Sequence, residues 1–236
     1  AKDAKPKMGN YPRMTKDRAL EVIDEMEDKK ATMHYEAFVN SAEAMRQFPG
    51  DLLVQSKGCF AMAYNALTHS RQILRAGGLD AVLAAMERFP QEAMLQRWGC
   101  ECLRYLTVRG DDLRRVLKAG GLNYIMLAMK THTQPGLEAI WVQQEACGCL
   151  KNIAAKDAQM VLDAGGLERV MMVMDLCPRY SWAQMWGCQA LKRFAEKNPK
   201  RVEDAGGFRR VVKAMKAHED SEMVQWTGAE ALRLQP

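Results

Sequence analysis

Thiols and imidazoles are the side chains with which this chain could do chemistry, and their spacing decides what they do. Cys59, Cys100, Cys147 and Cys188 stand four residues after Gln55, Gln96, Gln143 and Gln184. Cys100 with Cys102 and Cys147 with Cys149 form Cys-x-Cys pairs. A thiolate metal site needs its sulfurs on one ion at bonds of ~2.3 Å, whereas two helical steps of about 100° turn a Cys-x-Cys pair onto different faces. The pattern predicts small buried thiols rather than a metal centre. His34, His69, His132 and His218 are scattered, and no nucleophile motif or phosphate loop accompanies them. The expectation is therefore no catalytic residue, no metal and no cofactor.

The elements that carry these residues are set by an internal repeat. Gly77-Gly78, Gly120-Gly121, Gly165-Gly166 and Gly206-Gly207 each precede Leu or Phe, and Met86, Met129, Met174 and Met215 follow eight residues after the second glycine. Ala37 and Met45 form an earlier copy without glycines. The glutamine follows the methionine by ten residues in four copies and by fourteen in the third, where Pro135-Gly136 marks a longer loop. Successive copies are 41, 43, 45 and 41 residues apart. Apolar residues at i, i+3, i+4 and i+7, as in Leu79, Val82, Leu83 and Met86, predict amphipathic helices, and three helices fill each unit. The paired glycines suit the break between the short and second helices, not a dinucleotide fingerprint, which needs Gly-x-Gly-x-x-Gly after a strand.

The landmarks Ala-Gly-Gly-Leu and Val-Gln-x-x-Ala/Gly-Cys/Ala-x-x-Leu resemble those of the armadillo repeat family, most closely from Val142 to Ala155. HEAT repeats are the nearest structural alternative. The resemblance covers residues 33 to 236 and implies an all-α, right-handed armadillo-like solenoid. Its repeats would span 33–69, 70–111, 112–156, 157–197 and 198–236, behind a cap helix at 15–31 that Thr15 opens, and a flexible basic arm at 1–14. In peptide-binding armadillo proteins the long helices line a groove and an asparagine ladder grips the ligand backbone. Only Asn152 matches that ladder; Tyr64, Tyr105, Arg193 and Leu234 stand in its place. One residue earlier, Arg104, Lys151, Lys192 and Arg233 make a basic row, and Trp98 and Trp186 lie two turns before it. Tyr64, Trp98, Arg104, Tyr105, Lys151, Asn152, Trp186, Lys192, Arg193 and Arg233 are the candidate protein-binding residues, of the aromatic and arginine type enriched in interfaces. Core packing is expected for Trp141 and Trp182, with Leu53, Met94 and Met223 at the same position, and for the methionine series.

Composition narrows the function classes. With 34 basic and 29 acidic residues the net charge is +5, mild for a nucleic-acid binder. No apolar run reaches the ~18 residues of a membrane span. Seven cysteines without a paired framework suit a reducing intracellular compartment, the cytoplasm by default or an organelle after removal of a targeting peptide. These readings predict a non-catalytic interaction or scaffold module whose concave face holds an extended or acidic protein segment. An accessory subunit of a large complex, organellar in one version, and an RNA-binding solenoid are the alternatives.

Overall fold

In the computed structural model, residues 13–27, 35–134 and 136–236 are described, and all their regular structure is helical. Helix α1 (Lys16–Asp24) opens where the Thr15 hydroxyl accepts from the Arg18 N–H, and a 3-10 turn (Glu25–Glu27) extends it. Residues 1–12 of the predicted arm and 28–31 of the predicted cap lie outside the described residues. At the end of the arm, the Met14 N–H donates to Gln47 Oε1 at 2.8 Å.

Helices α2 (Tyr35–Gln47) and α3 (Leu52–Arg75) follow, then α4 (Gly78–Arg88), α5 (Ala93–Leu106), α6 (Gly110–Lys118) and α7 (Gly121–Thr131). Helices α8 (Leu137–Ala154), α9 (Ala158–Asp163), α10 (Gly166–Leu176) and α11 (Ser181–Lys197) come next. The last three are α12 (Pro199–Asp204), α13 (Gly207–Ala217) and α14 (Glu222–Leu232). The short, second and long helices of the repeat are thus distinct in its later copies. The long helix of the first copy is merged with the short helix of the second as α3, and His69 (φ −120°, ψ 26°) marks the kink between them. Side chains placed by the sequence start several of these helices: Asp51, Asp157, Asn198 and Ser221 each accept a first-turn N–H.

The chain forms two compact units, residues 1–124 and 125–236. In the first, α3 packs against α1, α2, α4 and α5. Polar ties hold the amino-terminal helix there: Ser41 Oγ donates to the Val22 carbonyl at 3.0 Å, Asn65 Nδ2 to the Met26 carbonyl at 2.9 Å, and Lys57 pairs with Asp24 at 2.6 Å. Ala19, Val22, Ile23 and Met26 are buried beneath it. In the second unit α11 lies between α8 and α14, with α10 and α13 packed on the long helices. Among the described residues no helix is long and apolar enough to cross a membrane.

Candidate interaction face on the long helices

Two devices aim the long helices. The first is a glutamine latch. Gln55 Nε2 donates to the carbonyls of Met45 and Phe48 at 2.7 and 2.9 Å, fastening the start of α3 to the end of α2. Gln96 does the same to Met86 and Phe89, Gln143 to Met129 and His132, Gln184 to Met174 and Cys177, and Gln225 to Met215 and His218. A helix end leaves its last carbonyls without intrahelical donors, and one side-chain amide with two N–H groups satisfies two of them. The second device is a methionine lock. Met86 lies so close to α5 that a Cβ on Gly99 would stand 2.5 Å from its sulfur; Met45, Met174 and Met215 press equally on Gly58, Gly187 and Gly228. The third copy carries Ala146 at this position, together with its longer loop.

Because latch and lock recur, equivalent residues leave each long helix in the same direction. Met62, Leu103, Leu150 and Leu191 point inward and are fully buried, as are Leu106, Ile153 and Phe194 three residues on. Between them lie the candidate positions. In the first unit Tyr64 is 55% exposed, and the Phe60 ring stands 6.2 Å from it and 5.4 Å from Trp98, edge-on, bridging α3 to α5. The Arg104 guanidinium sits 4.1 Å over the Tyr105 ring and 3.9 Å from Glu101. Phe60 belongs to this cluster although the residue list from sequence omits it. Its signal was its place one turn before Tyr64.

In the second unit Lys151 and Asn152 are half-buried on α8, Lys192 and Arg193 follow on α11, and Arg233 caps α14. The row is not purely basic. Lys192 donates to Glu230 at 3.0 Å and lies 4.0 Å from Glu196; Arg193 pairs with Glu196 at 2.9 Å, and Arg233 pairs with Glu230. The Lys192 hydrogen bond, with Arg233 nearby, holds the Glu230 carboxyl below the ordinary carboxylate range. The basic row is thus partly neutralised: Glu230 lies one turn before Arg233, and Glu196 one turn after Lys192 and Arg193. Trp186 departs from its expected role as a contact residue. It is only 7% exposed, its ring 5.8 Å from that of Trp182, so it is an internal side chain and not a contact residue.

A further correction concerns the position expected to pack in the core. Trp182 is 53% exposed and Leu53 and Met223 49% each, because this residue opens the long helix, before its inner face engages. Met45, Met86, Met129 and Met174 are buried as expected, whereas Met215, the last of the series, is half-buried. All seven cysteines are buried. Burial pushes the Cys59 and Cys188 thiols up to about 12 and Cys177 to about 11, and raises Cys102 and Cys147 further, so none of these five is poised as a nucleophile. His69 lies 5.5 Å from the Phe38 ring, His132 is buried, and His218 Nε2 is 2.8 Å from the Pro178 carbonyl; His34 lies outside the described residues. Among the described imidazoles, His69 lies at the kink of α3, and His132 and His218 follow the ends of α7 and α13.

Compared with models of known protein families, with curated proteins and with solved structures, the chain matches none.

Proposed function

We propose that the chain is a non-catalytic protein-interaction module whose long helices hold an extended segment of a partner protein. In this reading the five repeats, behind their amino-terminal cap, stack as a right-handed armadillo-like solenoid. The observation that carries it is the five-fold latch, which sets every long helix the same way on its own second helix, so that equivalent side chains leave the same helix face in each repeat. Tyr64, Phe60 and Tyr105 supply aromatic anchors in the first unit; Lys151, Asn152 and Arg193 supply polar contacts in the second. With Lys192 and Arg233 bound to Glu230, the grip relies on stacking and backbone hydrogen bonds more than on net positive charge.

The test is affinity purification with identification of the partner, run beside a triple variant, Tyr64→Ser, Tyr105→Ser and Asn152→Ala. The expected result is a defined partner retained by the wild-type chain and lost by the variant, with helicity and melting temperature nearly unchanged, since these side chains are largely outside the core. Equal retention by the variant overturns the proposal. Recovery of RNA in place of protein favours the nucleic-acid reading instead.

A further inference from the structure

The second helices of successive repeats meet along an edge where one pair of positions recurs: the residue nine after the second glycine, and the residue three after the second glycine of the next copy. At one junction Glu87 accepts from the Tyr124 hydroxyl at 3.4 Å. At another Asp175 receives Arg210 at 2.8 and 2.9 Å. Both times a carboxylate ties one repeat to the next. At the junction of α7 with α10 the two positions hold Lys130 and Arg169, two cations. Among the described residues neither has a carboxylate within ion-pairing distance; the Arg169 guanidinium touches only the Met172 sulfur, a weak acceptor, at 3.7 Å. A cleft of about 590 Å³ opens there, in the second unit, lined by both cations and by Met126, Leu127 and Met172. Leu127 is 46% exposed. Glu168 also lines the cleft and lies 3.9 Å from Arg201.

At this junction the paired positions hold two cations and no carboxylate, beside an apolar wall. We propose that this cleft docks a short acidic peptide segment of a partner. One carboxylate of the segment bridges Lys130 and Arg169, as Asp175 serves Arg210 in the next junction, and a flanking aliphatic side chain covers Leu127, Met126 and Met172. The charge selects an anion. The apolar wall selects a peptide over an inorganic ion, which would leave Leu127 in water. The site lies on the second helices, apart from the long-helix face, and stands without it.

The probe is a fluorescein-labelled hexapeptide, Leu-Glu-Leu-Leu-Glu-Leu, titrated by anisotropy, with its Gln-for-Glu counterpart as control. Wild-type chain binds the acidic peptide at least tenfold more tightly than the control. Arg169→Gln weakens binding tenfold or more. Lys130→Glu supplies in cis the carboxylate that the peptide brings: it abolishes binding and raises the melting temperature, whereas Arg169→Gln does not raise it. Lys200→Ala, at an exposed cation of α12 outside both faces, leaves the affinity unchanged. The proposal is overturned if both cleft variants bind like wild type, if millimolar peptide does not bind, or if inorganic phosphate displaces the peptide at equal concentration.

Discussion

At the scale of the residue, the side chains that most determine this molecule are polar groups in the core. Gln184 is 2% exposed, and its amide satisfies two carbonyls at once. Replacing it by Leu removes both donors and leaves those carbonyls dry, which costs about 2 kcal/mol by the usual penalty for buried unsatisfied groups. Gln225 makes the same two bonds but is half-exposed, so water replaces its donors and Gln225→Leu should cost clearly less. Urea denaturation of the two variants checks the difference; equal losses would mean the latch does not act through desolvated carbonyls. The thiols act mainly through burial. Their raised values mean that the folded chain keeps protons that the unfolded chain releases above about pH 9, the ordinary thiol value. Stability from these groups is thus complete below pH 9 and lost as pH climbs toward the folded values, about 12 for Cys59 and Cys188. Thermal melts between pH 7 and 11 should fall only above pH 9. Alkylation at pH 8 should label no cysteine without denaturant.

At the scale of the element, the glycine pair divides two tasks that the sequence shows as one motif. Gly120 takes φ +80° with nothing within 4 Å of its absent Cβ; Gly121 has an ordinary backbone, but a Cβ there would meet the Val116 carbonyl oxygen at 2.9 Å and its methyl at 2.4 Å. Gly120→Ala should therefore cost about 1 kcal/mol of backbone strain. Gly121→Ala should cost more, about 2 kcal/mol or above, because the α6 carbonyl cannot rotate away. A calorimetric order opposite to this would reverse the assignment. Periodicity made the existence of the helices, the break at the glycines and the buried methionines legible, since these rest on spacing alone. The sequence pattern did not reveal the direction of the residue that opens each long helix, such as Trp182, because i, i+3 spacing does not say where a helix first touches its neighbours. It did contain the neutralising acids: Glu101 and Glu230 stand three residues before Arg104 and Arg233, one helical turn away, within reach.

At the scale of the whole molecule, repeats that touch mainly their neighbours stabilise one another in series, so a helix with one flank covered is weaker than one covered on both. Helix α11 has α8 on one side and α14 on the other; α14 packs on α11 and α13. The consequence appears residue by residue at equivalent positions. Met185 on α11 is 3% exposed, and Trp226, its counterpart on α14, is 65% exposed; Met171 is 7% exposed and its counterpart Val212 is 37% exposed. Each of these pairs removes a large apolar side chain from cover at ~25 cal/mol per Å², so the local opening energy of α13 and α14 falls well below that of α10 and α11. Native-state hydrogen exchange should show amides of α14 exchanging at least tenfold faster than those of α11, with the Gln184 latch outlasting the Gln225 latch. Ligand capture on the long-helix face should slow exchange at α8 and α11 more than at α14, because Asn152 and Arg193 lie on the first two. Uniform protection across the three helices would show a single cooperative block, and would remove the serial picture on which the repeat reading rests.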